Sequence, residues 1–109
     1  VKQIIWLGDS LARRRAFPAE ARREAGYQLE RVQAGKAPVG GKPMAAIGLG
    51  VSEIRVRVGG AFRVIYLAKY AEAIYVLHAF QKKSRGTSHL DIELARNRFR
   101  AFIRERTRQ

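Results

Sequence analysis

No cysteine occurs anywhere in these 109 residues. That removes disulfides, a thiol nucleophile and thiolate metal sites together. Histidine is nearly as scarce: His78 and His89 are the only two, which argues against a histidine-built zinc site. No stretch approaches the roughly 20 apolar residues of a membrane-spanning helix, nor does a charged opening lead into a long apolar segment. The expectation is a soluble, cytoplasmic protein with no membrane partner. Acidic residues are few, nine against twenty-two lysines and arginines, for a net charge of +13. The imbalance is uneven. Residues 1–54 carry nine basic and five acidic side chains, net +4, whereas residues 55–109 carry thirteen and four, net +9. Such a field attracts nucleic acid or an acidic partner protein; the bland alternative is an arginine-rich composition without a specific task.

What is present suffices for one small domain: 47% of the residues are hydrophobic, and the length leaves little room for a second core. Lys2–Leu7 reads as a first strand, ended by Gly8 and Asp9, and Asp9 or Ser10 can cap a short helical turn. Pro18 suits a first helical position. Behind it Ala21, Ala25, Leu29 and Val32 recur on one helical face, Gly26 weakens the middle, and Gly35 offers a C-cap. Residues 35–50 are too rich in Gly and Pro for a regular element and read as loop. A two-residue Gly59-Gly60 turn then joins strands of roughly Ser52–Val58 and Ala61–Ala68, followed by a third at Ala73–Phe80. The second and third are apolar on both faces, as in mid-sheet strands or strands under helices. Ser88 can cap a last helix, with Asp91 completing a capping box. There Ala95, Phe99, Phe102 and Ile103 make an apolar stripe, with Arg96, Arg100 and Arg104 on another face. The order predicts an α+β domain with helices packed on one side of a mostly antiparallel sheet.

The chemistry must come from basic residues. The glycine-rich segment before Val51 lacks the Lys-Ser/Thr ending of a phosphate-binding loop. No carboxylate pair or Ser-His-acid arrangement stands out; Asp91 and Glu93 read as helix-start residues. Arg55 and Arg57 share one strand face about 7 Å apart, with Glu53 beside them, and Arg63 opens the next strand. Its parity is open, because Ile65 and Leu67 share its face. Lys82 and Lys83 follow the third strand, with Ser84 and Arg85 beside them. Such cations can grip a phosphate backbone or stabilise a pentacovalent phosphorane. A nuclease acting without metal would use the RNA 2′-hydroxyl as nucleophile and leave a 2′,3′-cyclic phosphate. Equally, Arg55 and Arg57 could be the wet face of an edge strand. His78 reads as a packed, hydrogen-bonded core residue rather than a base, with the parity of Val76 and Phe80. His89 could reach a scissile phosphate. Tyr66 and Tyr70 could stack on bases, though aromatic residues are also ordinary strand formers. Trp6 is most simply core.

The run EIRVRVGGAFRVIY, then IYVLHAFQKKSRGT, then DIELARNRF resembles the phage-related branch of the HigB/RelE superfamily of toxins. The opening IIWLGDSLARRRAFPAEARREAGYQL and the linker GKPMAAIGLGVSEIRVR resemble the same branch, so the likeness covers nearly the whole chain. It implies a RelE-like microbial RNase fold: a twisted, mainly antiparallel sheet with two N-terminal helices packed on it and a C-terminal helix. It implies a type II toxin–antitoxin system and ribosome-dependent endoribonuclease (mRNA interferase) activity on messenger RNA, without a cofactor or metal. It also implies a cognate antitoxin, often with a helix-turn-helix domain, in a 1:1 or 2:2 assembly. The resemblance places Arg55, Arg57, Arg63 and Lys82 or Lys83 in catalysis: Arg55 or Arg57 holding the backbone, the others stabilising the phosphorane and the leaving 5′-oxygen. Arg85, Tyr66 and His89 are candidate RNA contacts. The general base is the departure. Many relatives place Tyr or His near the C-terminus, whereas this chain ends in an arginine-rich segment without either. Lys or Arg could serve only with a lowered pKa, and His89 is a fallback.

The alternative is a non-catalytic nucleic-acid or ribosome-binding module derived from such a toxin, using the same patch. A third reading is a structural or phage-associated protein with an adventitious basic surface. An antitoxin is expected either to cover the Arg55/Arg57/Arg63 face or to displace the last helix.

Overall fold

The computed structural model describes residues 1–83, 85–86 and 88–108. In chain order its elements are β1 (Gln3–Trp6), α1 (Ser10–Arg15), α2 (Ala19–Gln33), β2 (Lys42–Pro43), β3 (Val51–Arg57), β4 (Ala61–Leu67), β5 (Ala73–Lys82) and α3 (His89–Thr107). The strands form one mixed sheet in the order β1-β5-β4-β3-β2, with β1 parallel to β5 and the other three pairings antiparallel. This is an α+β fold, compatible with an RNase-like architecture at the level of its layers.

The α2 periodicity translates directly into packing. Ala21, Ala25, Leu29 and Val32 are buried, joined by Gln28, and pack on the sheet face carrying Ile54, Val56, Phe62, Val64 and Val76. Phe17 closes this core against Phe62, ring centroids 4.8 Å apart. At the C-terminus of α2, Gly35 takes φ 80°. There its N–H donates to Val32 O at 3.0 Å and Lys36 N–H donates to Arg31 O at 2.8 Å, a Schellman ending. Pro18 sits at the N-cap, one residue outside the first helical position.

Other sequence expectations are corrected as well. The helices are not all on one side: Ala95, Ile92, Phe99 and Phe102 of α3 pack with Ile65, Leu67, Tyr75 and Leu77 on the sheet face opposite α2. Two-sided cover is what the doubly apolar β4 and β5 require. Within the predicted loop, Lys42 and Pro43 pair with Glu53 and Ser52, forming a short edge strand whose Pro needs no ladder partner. The β3–β4 turn has three residues, Val58–Gly60, because Arg57 pairs with Ala61. Its glycines take φ 66° and 141°, values that L side chains rarely adopt. Finally, the Ser88 side chain makes no cap hydrogen bond, and the Asp91 carboxylate is directed to the sheet, as described below.

A register shift lies between β4 and β5: Ile65 pairs with His78, yet Tyr66 pairs with Val76, leaving Leu77 extra. This bulge breaks the simple alternation. Val76 faces α2 while Phe80 faces the α3 side, so the expected common parity of Val76, His78 and Phe80 does not hold.

Candidate functional site

The three-residue turn fixes the parity of Arg63. A two-residue turn would have set Arg63 on the face opposite Arg55, since a one-residue slip moves every side chain across a sheet. Instead Arg55 pairs with Arg63. Rows across β3, β4 and β5 on the α3 side then read Arg57–Ala61–Lys82, Arg55–Arg63–Phe80 and Glu53–Ile65–His78. Helix α3 begins near His78, where Asp91 meets it, so the two arginine-bearing rows run on beyond its start.

Glu53 organises the centre. It is only 3% exposed, and its Oε1 accepts from Arg55 Nε at 2.9 Å. Its Oε2 lies 3.7 Å from Arg63 Nε and makes no hydrogen bond. Arg63 is equally buried, at 3%, and donates through one terminal nitrogen to Phe62 O at 3.1 Å. Burial lowers the Arg63 pKa first of all; Glu53 opposes that, and Arg55 and Arg57 add to it. The exposure therefore grades outward: Arg63 inside, Arg55 half-buried, Arg57 in solvent with no hydrogen bond among the described residues. Glu53 thereby compensates the buried Arg63 charge, and the positive field at the surface comes from Arg55 and Arg57.

The other predicted residues separate. Lys82 ends β5 on the same face, half-buried, with its Nζ donating to Arg85 O at 2.5 Å. Lys83 is exposed just past the strand, and Arg85 and His89 are exposed beyond it. Ser84 lies outside the described residues. Tyr66 is not brought to this cluster. It is buried on the α2 face, where burial pushes its phenol pKa up against a hydrogen bond with Ser52. Its ring lines a separate cavity of about 500 Å³ with Lys2, Lys36 and Lys42. Tyr70 stacks under Arg106, 3.6 Å from guanidinium carbon to ring centroid, at the far end of α3.

Sequence reasoning missed two groups. One is Glu53 as a buried member of the cluster; a carboxylate at i, i+2 to Arg55 within a basic face was the available signal. The other is the pairing of His78 with Asp91. His78 is fully buried, stacks on Phe80 with centroids 5.1 Å apart, and meets Asp91 Oδ1 through Nε2 at 2.7 Å. Its Nδ1 has no partner. Burial lowers its pKa, with Asp91 acting in the opposite sense. Glu93, read as a helix-start residue, pairs with Arg96. Among the described residues no group of three or more His, Asp or Glu side chains is placed to hold a metal ion, and no helix is long and apolar enough to cross a membrane.

In comparison with curated proteins, none matches this chain. A family model described as "Phage derived protein Gp49-like (DUF891)" matches residues 14–100. That span includes every strand from β2 to β5, both arginine-bearing rows and most of α3. The chain belongs to the Gp49-like family of phage-derived proteins.

Proposed function

We propose that this protein is an endoribonuclease toxin of the HigB/RelE kind, cutting messenger RNA on the ribosome and neutralised by an antitoxin. The observation that carries the reading is the Arg55–Glu53–Arg63 cluster with Arg57 at its rim. Transesterification through the 2′-hydroxyl needs a proton acceptor, cations around the phosphorane, and a donor to the leaving 5′-oxygen. Arg57 and Arg55 hold the phosphates. Once RNA entry opens the buried Glu53–Arg63 pair, Oε2 of Glu53 takes the 2′-hydroxyl proton, filling the base role that His89 or a cation would otherwise have to take. The 2′-oxygen attacks phosphorus, the P–O5′ bond breaks, and the 5′-oxygen is protonated by Lys82 or Lys83. Arg63 lies beneath, so its contact with the phosphorane requires the 3.7 Å Glu53–Arg63 pair to open as RNA enters.

The burial of Arg63 and Glu53 favours a second reading, in which that pair is structural and exposed Arg57 and Lys83 serve binding alone. A translating ribosome system separates the two, with messenger 5′ ends mapped by primer extension. New ends within ribosome-occupied codons, lost in Arg57→Ala and Glu53→Gln, support the nuclease. Intact messenger with retained co-sedimentation on ribosomes supports the binding module. The antitoxin reading predicts that Arg57→Glu weakens toxin–antitoxin affinity if the arginine face is the covered surface.

A further inference from the structure

Strand β1 pairs only with Ala73–Val76 of β5. Among the described residues no strand covers the outer edge of β5 beyond that point, so the backbone groups of Ala79–Lys82 directed away from β4 face outward. A cleft of about 340 Å³ lies along this edge, closed by the α1–α2 corner on one side and the start of α3 on the other. Its apolar wall includes Phe17, Phe62 and Phe80. Its polar groups are Gln81, Lys83 and Asp91, with Arg13 at the α1 side. Among the described residues neither the Gln81 amide nor the Lys83 ammonium is engaged in a hydrogen bond, and Asp91 is held by His78 through one oxygen, with no partner for Oδ2.

We infer that this cleft is the site that selects a base of the RNA, and that the base it selects is guanine. The inference rests on the nuclease or RNA-binding reading of the adjacent arginine rows. The volume stands at the lower end of small-ligand sites, about 300–1,000 Å³, room for one base rather than two. Flat aromatic walls with a few polar groups at the rim are how unpaired bases are held and read. Phe80 is cross-strand from Arg63, which is cross-strand from Arg55. Neighbouring strands lie about 5 Å apart, so a base in the cleft leaves its own phosphate next to the arginine rows. The chemistry of the rim chooses the base. A carboxylate accepts two adjacent N–H groups, and only guanine among the four presents such a pair, N1–H and N2–H, on one edge. Guanine O6 then takes a proton donor, which the Gln81 side-chain amide supplies. Lys83 stands where the phosphate leaves the cleft. An added peptide strand would also use an open edge, but it has no need of a carboxylate beside three aromatic rings.

The test is an amide NMR titration of the full chain with GMP, AMP, CMP and UMP, following Ala79, Phe80 and Gln81. It is run beside Gln81→Ala, an exposed side chain whose loss leaves no buried group unpaired. The expected result is shifts centred on these residues and a preference for GMP of about tenfold, the discrimination one good base-edge contact supplies, reduced to about twofold in the variant. Equal affinities for the four nucleotides, or shifts elsewhere, overturn the inference. Failure of the nuclease reading shows differently: GMP preference in the cleft with messenger left intact keeps the base site and removes catalysis. Messenger cleavage whose base preference is the same in Gln81→Ala keeps catalysis and removes the base site.

Discussion

Replacing Glu53 by Gln keeps the shape of the side chain and one acceptor oxygen but deletes its charge. In the folded protein that charge stands between two guanidinium groups, 2.9 Å from Arg55 Nε and 3.7 Å from Arg63 Nε. Arg63 is 3% exposed, so water cannot take over the lost compensation. Breaking a buried pair from one side costs about 3–5 kcal/mol. Taking the lower end, because Arg55 is half-exposed and Gln retains a hydrogen bond, and about 4 °C per kcal/mol, Tm should fall by about 12 °C. Thermal unfolding followed by circular dichroism reads this out. The companion double variant Glu53→Gln/Arg63→Met removes both charges and should recover about 2 kcal/mol of the loss as coupling energy. On messenger RNA the same Glu53→Gln substitution should reduce cleavage by about 10²–10⁴ while leaving ribosome binding in place. A Tm within about 3 °C of wild type would refute the claim that Glu53 compensates buried charge, since that corresponds to less than about 1 kcal/mol.

Three further outcomes follow from the packing and the charges. A Cβ at Gly48 would overlap the Phe99 ring of α3; Gly48→Ala should therefore cost about 1–3 kcal/mol in urea unfolding, as overpacking does. Hydrogen bonds from Arg98 and then Arg13 lower the Asp9 pKa from 3.8 to about 2. A depressed carboxylate pKa means the unfolded chain binds the proton first. The Asp9 contribution is thus fully present above about pH 4 and is lost as pH falls through about 2, an acid limb that Asp9→Asn should flatten; solvent screening keeps it small. For His78 the pKa is also lowered, by burial, so stability from this group is full above its ordinary value near 6.5 and declines as pH drops below it. The urea midpoint of wild type should fall between pH 7 and 5 more steeply than that of His78→Asn.

Much of this was legible because two periodicities are strong. The spacing of Ala21, Ala25, Leu29 and Val32 marks one face of α2, and the alternation of Ile54 and Val56 with Arg55 and Arg57 marks the two faces of β3. What was not legible depends on registers that no local pattern encodes. One residue in the Val58–Gly60 turn decides whether Arg63 joins Arg55. One extra residue at Leu77 decides that His78 and Phe80 face α3 while Val76 does not. The doubly apolar β4 and β5 required cover on both faces, but could not say that α3 supplies the second. Asp91 looked like a capping residue because sequence spacing to Ser88 is visible, whereas the approach of α3 to His78 is tertiary. Glu53 was read as one more residue on a polar face, because burial at a sheet's basic end depends on Arg63 lying directly across from Arg55.

The central claim is attack by the RNA's own 2′-hydroxyl on a phosphate held over the Arg55, Arg57 and Arg63 rows. Its most direct test is the end group left on the upstream fragment of messenger cut in a translating system, identified by mass spectrometry. A 2′,3′-cyclic phosphate, absent with Glu53→Gln, is the predicted result; a 3′-hydroxyl end, or uncut messenger at every protein concentration, would contradict it.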